Sequence, residues 1–155
     1  MGVSHSVSVQ HNEIELREAV ELRVVVTRLY RILRAKSAAK LTASQVSALV
    51  RIEEEGPLRL TTLAEREGIA APTMSKVVDL LCDEGLIERI PDPTDGRANL
   101  IQLDEGGQAL LRDVRERLTR LMREALEHLS GEEHTTLAAA IPVLQHVIEI
   151  MRGDG

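Results

Sequence analysis

A mainly α chain carrying one small β-hairpin is the fold class this sequence predicts, on three observations. Apolar residues recur at three- and four-residue steps along most of the chain. The apolar set is Leu, Val, Ile and Ala, with no Trp, no Phe and a single aromatic, Tyr30; such side chains interdigitate between helices without needing polar partners. One stretch breaks the pattern. In RIPDPTDGRANLIQL, residues 89 to 103, two short apolar runs flank two prolines, a glycine, two aspartates and an arginine.

The elements follow in order. Residues 1–11 read as a disordered tail. From Asn12 a long helix begins, with Leu16, Ala19, Val20, Leu22, Val26, Leu29, Tyr30 and Leu33 on its apolar face, fading between Lys36 and Lys40. Thr42 and Gln45 form a capping box for a second helix, which turns Ala43, Val46, Leu49 and Val50 inward and stops at Gly56-Pro57. A short helix with Leu60, Leu63 and Ala64 on one face takes Thr61 or Thr62 as its cap, and Gly68 supplies a tight turn.

Pro72 then suits the first turn of another helix, where a missing N–H costs nothing. Met74, Val77, Val78 and Leu81 share its inward face, which turns Thr73, Ser75, Lys76 and Asp79 outward. Residues 86–90 and 99–103 alternate as two strands, making a hairpin with an eight-residue tip. Two helices finish the chain. The first carries Leu111, Val114, Leu118, Leu121, Ala125 and Leu129 in a seam close to that of a coiled coil. The second opens on a Ser130/Glu133 capping box and lines up Leu137, Ile141, Leu144, Ile148 and Met151, with Pro142 expected to kink it. These terminal stripes exceed what one small domain can cover, so a partner surface is implied.

Composition removes several function classes. The scarcity of aromatics argues against an aromatic cage or a base-stacking platform. Cys82 is the single cysteine, which excludes an internal disulfide and fits a reducing cytoplasm. No apolar run is long enough to span a membrane, and MGVSHSVSVQHNEIE lacks the basic-then-apolar order of a signal peptide. The myristoylation pattern at Gly2 and Ser6 reads as chance, since one acyl chain without a basic cluster binds membranes only marginally. Net charge is −6, which disfavours nucleic acid in general. Against that, Leu22 to Ile52 holds Arg23, Arg28, Arg31, Arg34, Lys36, Lys40 and Arg51 and no acid. That stretch is either a solvated face or a positive surface awaiting phosphate or another anion.

Short helix, glycine turn, second helix and hairpin is the order of a winged helix-turn-helix. In that arrangement the second helix enters the major groove of double-stranded DNA, and Pro72, Thr73, Ser75 and Lys76 are of the type and on the face to meet bases. A basic side chain on the projecting hairpin reaches the electronegative minor groove. Arg97 is placed for it, and Asp95 two residues earlier can fix its guanidinium by a charge-assisted hydrogen bond.

GLIERIPDPTDGR, with Asp92-Pro93-Thr94-Asp95-Gly96-Arg97 at its end, resembles the wing of the MarR family of bacterial transcriptional regulators. The resemblance covers 12–151 and is most specific over 60–107. It implies a winged helix-turn-helix over 41–103, set between long dimerisation helices at 12–40 and 104–151. It also implies a homodimer on a pseudo-palindromic operator, acting as a repressor and released by a small anionic or aromatic effector or by oxidation. Tyr30, Arg34 and Arg51 fall where the family's ligand pocket usually lies. Three departures stand out. Gly96 replaces a frequent second basic residue, Ala71 occupies a cap position where Ser is usual, and residues 57–103 carry five basic against eight acidic side chains.

Rival chemistries find little support. The carboxylates of Asp83 and Glu84 beside Cys82 oppose thiolate formation, so an inert thiol is favoured over a redox sensor. His5, His11, His128, His134 and His146 contain no i, i+4 pair, and no metal site or cofactor is expected. There is no phosphate loop, nucleophile elbow or distinctive carboxylate pair, so no enzyme is expected. Gly106-Gly107 reads as a tight turn into a helix rather than a dinucleotide site. The acidity of the winged module keeps one alternative in view, a protein-interaction module that retains the fold without binding DNA.

Overall fold

The computed structural model describes residues 3–36 and 41–153, with side chains from residue 16 onward. Lys40, the Gly2/Ser6 motif and the side chains of His5 and His11 therefore lie outside the described residues. The chain divides into two compact units, Met1–Val114 and Arg115–Gly155.

In the first unit, helix α1 spans Val3–Lys36. It starts ahead of the Asn12 start read from periodicity; no glycine or proline between Val3 and Asn12 stops it. None of its described side chains is buried. Helix α2 (Ala43–Glu55) opens on the expected box: Gln45 N–H donates to Thr42 Oγ1 and Thr42 N–H to Gln45 Oε1. Strand β1 (Leu58–Arg59) runs directly into α3 (Leu60–Glu67). The N-cap of α3 is thus Arg59, with no side-chain cap, where the sequence pointed to Thr61 or Thr62. The leucine periodicity starts at Leu60, and the helix starts with it. Gly68 closes α3 in the left-handed region at φ 63°, a conformation that other residues rarely adopt.

Helix α4 (Ala71–Asp83) has Ala70 as its N-cap and Pro72 in its first turn. The strands β2 (Ile87–Asp92) and β3 (Asp95–Leu103) follow, and the sheet order is β1-β3-β2, all antiparallel. Two features differ from the sequence expectation. The sheet has a third strand, because β1 pairs Leu58 with Ile101 and Arg59 with Leu100. The tip is also shorter than eight residues, since pairing continues to Asp92 opposite Asp95 and leaves Pro93-Thr94 as the turn. Pro91 does not end β2 because that strand is an edge, where a missing N–H breaks no ladder.

The core of this unit lies between α2, α3, α4 and the sheet. Leu49, Ile52, Leu63, Met74, Val78, Leu81 and Ile101 are its large, fully enclosed side chains. Each such side chain contributes roughly 1.5–3 kcal/mol by leaving water. Helix α5 (Glu105–Leu126) begins against this core, burying Leu111. Its first turn rests backbone on backbone: a Cβ added to Gly107 would lie 2.1 Å from the Leu86 carbonyl oxygen, and one on Gly106 2.3 Å from that of Gly85.

In the second unit, helix α6 (Gly131–Arg152) opens on the Ser130/Glu133 box, with Glu133 N–H donating to Ser130 Oγ and Ser130 N–H to the Glu133 carboxylate. It continues through Pro142 and buries none of its side chains.

Candidate nucleic-acid interface

The core fixes which side of α4 is free. With Met74, Val78 and Leu81 locked inward, Pro72, Thr73 and Lys76 are exposed and Ser75 is half-buried. Those four residues lie within the first two turns, at the end of the helix where the helix dipole favours a phosphate. Asp79, further along, is joined to Arg89 of β2 at 2.6 Å. This contact ties the helix to the wing strand and neutralises an acid that would otherwise face an incoming anion.

The wing is organised by Asp92. Its Oδ1 accepts from the Thr94 N–H at 2.8 Å and the Thr94 hydroxyl at 2.7 Å, closing the turn. Its Oδ2 accepts from Nε and Nη2 of Arg59. The Thr94 bonds and the Arg59 guanidinium hold the Asp92 carboxyl at a pKa of about 2, well below the ordinary aspartate range. Between Pro91↔Asn99 and Asp92↔Asp95 the register shifts, so Gly96, Arg97 and Ala98 have no opposite residue on β2. Such a bulge re-aims the side chains it carries. Arg97 is exposed there. Asp95 supports it by accepting from the Arg97 backbone N–H at 3.2 Å, not from its guanidinium as the sequence had indicated. A two-residue reach across a turn brings the carboxylate to the backbone first.

Electrostatics sort the cations of residues 57–103. Arg59 is held by Asp92, Arg66 lies 3.3 Å from Glu55, and Arg89 meets Asp79. Among the described residues, Lys76 and Arg97 have no acidic partner. They are the two cations that the sequence assigned to groove reading. Sequence reasoning missed Arg59 and Arg89, whose roles depend on pairings across the fold. No local signal marked either one, since the strand that holds Arg59 forms only by pairing with β3.

The residues expected to line a ligand pocket are not drawn together in one cluster. Tyr30 and Arg34 are neighbours on α1, with Arg34 Nη1 donating to Tyr30 Oη at 3.3 Å. Arg51 is engaged elsewhere: its Nε donates to Glu67 at 3.1 Å and its Nη1 to Glu55 at 3.0 Å. Glu67 also accepts from the Ser47 hydroxyl. An anion could take Arg51 only by displacing two carboxylates. Burial pushes the Cys82 thiol up, Asp79 and Asp83 add to the shift, and Arg89 opposes it; the thiolate is disfavoured at neutral pH. Among the described residues, no three His, Cys, Asp or Glu side chains gather as metal ligands, and no helix is long and apolar enough to cross a membrane.

Comparison with known proteins fits this geometry. The MarR family model matches residues 41–98, the stretch from α2 to the first residues of β3. An HTH-type transcriptional regulator of Mycobacterium bovis is 32% identical over 136 residues, covering 87% of this chain and 95% of that protein. A MarR family protein from Bacillus stearothermophilus superposes with a TM-score of 0.71 at 26% identity, over 90% of this chain and 96% of the other. The PcaV transcriptional regulator from Streptomyces coelicolor, solved in complex with its natural ligand, gives a TM-score of 0.53 at 26% identity, over 83% and 92% of the two chains. A helix with an exposed polar face on a packed core, a bulged wing and a relative matched nearly end to end lead to one assignment: the chain belongs to the MarR family of DNA-binding transcriptional regulators.

Proposed function

We propose that this protein is a homodimeric repressor that binds a pseudo-palindromic operator in the cytoplasm and leaves it when a small anionic or aromatic effector binds. In this reading Thr73, Ser75 and Lys76 meet base edges in the major groove beside Pro72, and Arg97 enters the minor groove from the wing. The observation that carries it is the selective freedom of Lys76 and Arg97: the module's other cations are held by internal carboxylates, and these two are left for an external anion. Dimerisation is supported by the apolar side chains that one chain leaves in water. Leu16, Val20, Val25, Val26, Leu29 and Ile32 on α1, and Ile141, Leu144, Ile148 and Met151 on α6, are all exposed, and apolar surface of this extent marks an association site. For the effector, the support is Tyr30 beside Arg34, an aromatic face next to a cation, together with the ligand-bound state of the Streptomyces relative.

Electrophoretic shift on the DNA upstream of its own gene, run as a salt series, tests the reading. The wild type is expected to bind with a shallow salt slope, because few cations contribute. Arg97→Ala is expected to weaken binding by about tenfold. A second reading rests on the excess of acidic over basic side chains in 57–103. A winged module that recruits another protein would leave both proteins indifferent to this DNA and to genomic fragments alike.

A further inference from the structure

We propose that Arg59 is the positioning residue of the wing: it anchors the turn that aims Arg97 to the start of the helix pair that carries α4. The proposal rests on the DNA-binding reading and adds to it a residue outside both reading elements.

The argument begins with where Arg59 sits. Its backbone pairs with Leu100 of β3 and caps α3, so the residue is fixed at the junction of sheet and helix pair. Its side chain crosses to the wing, where Nε reaches Asp92 Oδ2 at 2.8 Å and Nη2 donates to the same oxygen. The Asp92 side chain is only 5% exposed, whereas that of Arg59 is 44% exposed. The acid is therefore enclosed and the arginine is its link to the body of the protein. Asp92 has two oxygens and two tasks. Oδ2 takes the guanidinium while Oδ1 takes both donors of Thr94.

The same guanidinium comes within 3.7 Å of Asp95 Oδ2, and the other oxygen of Asp95 holds the Arg97 N–H. One cation thus steadies both carboxylates that bond the turn backbone. The bulge makes that support necessary, because residues 96–98 have no partner on β2 to hold them. Without Arg59, Asp92 would be left as a nearly buried charge with no cation beside it, which is costly, and the turn would loosen to hydrate it.

Two variants and two readouts test this. Hydrogen exchange in the free dimer should speed up by about tenfold or more at the Thr94 and Arg97 amides in Arg59→Ala, with core amides of α4 unchanged. Operator affinity should fall by about tenfold in Arg59→Ala, yet by no more than about twofold when the same change is made in Arg97→Ala, because a wing without its arginine has nothing left to aim. Asp92→Asn separates positioning from direct phosphate contact. It removes a negative charge and leaves every cation in place, so simple electrostatics predicts tighter binding, whereas loss of the anchor predicts weaker binding, as in Arg59→Ala. Unchanged exchange at Thr94 and Arg97, losses that multiply in the double variant, or tighter binding by Asp92→Asn would each overturn the proposal. If the wild type ignores DNA altogether, the DNA-binding reading falls, and the exchange comparison still decides whether Arg59 holds the wing.

Discussion

Helices α4 and α6 are both amphipathic, and the chain treats them in opposite ways. Over 13 residues α4 buries Met74, Val78 and Leu81 completely. Over 22 residues α6 aligns Leu137, Ile141, Leu144, Ile148 and Met151 and buries none of them. The apolar face of α4 is satisfied inside one chain, which leaves its polar face exposed. That of α6 remains open for another surface. Periodicity alone does not distinguish the two cases. What separates them is whether the same chain supplies the opposing layer, as α2, α3 and the sheet do for α4.

Four experiments bear on this contrast, taken from the largest expected effect to the smallest. Leu144→Asp, a charge set into the open seam, should convert the proposed dimer into a species of half the mass by sedimentation at micromolar concentration. A wild type that sediments as a monomer would break the comparison at once. Leu81→Ala should cost about 3 kcal/mol in urea unfolding through the cavity it leaves, and the cost should not depend on protein concentration. Leu144→Ala should destabilise in a concentration-dependent manner if α6 pairs with a second copy, because association and folding are then linked. The two capping boxes offer a finer comparison. Thr42→Ala and Ser130→Ala should each lower stability by about 1 kcal/mol, read as a shift in the denaturant midpoint.

A separate prediction is in pH. The Asp92 carboxyl titrates at about 2 in the folded chain, below its value when unfolded. Its contribution is complete above the ordinary aspartate range and is lost as pH falls through about 2. The melting temperature should therefore drop less between pH 5 and pH 2 in Asp92→Asn than in the wild type. Equal drops would show that Asp92 is not held as described.

Much of this was legible in the sequence wherever the determinant is local. Thr42 with Gln45, and Ser130 with Glu133, lie three residues apart, and both boxes form in the structure. The inward face of α4 follows from its own spacing. Strand β1 was not legible, because two residues show no alternation and Leu58-Arg59 becomes a strand only by pairing with Ile101 and Leu100. The length of the wing was misread for a related reason. Pro91 and Pro93 look like breaks in isolation, and the edge position that accommodates Pro91 is a property of the assembled sheet. Arg51 is similar: its engagement by Glu67 crosses from α2 to α3, a pairing that a basic stretch read by itself does not reveal. For the interface, residue type and helical face pointed to Lys76 and Arg97. That neither guanidinium nor ammonium has an acidic partner among the described residues emerged only once Arg59, Arg66 and Arg89 were seen to be occupied.

The glycine pair at the root of α5 has a mechanical consequence. Where two backbones touch with no side chains between them, the joint has no compliant layer to absorb a displacement. The first turn of α5 and the corner linking α4 to β2 must then shift as one piece. A side chain at either glycine would push the start of α5 away from the base of α4 and the hairpin beside it. That close approach costs two residues of helix propensity at the start of α5.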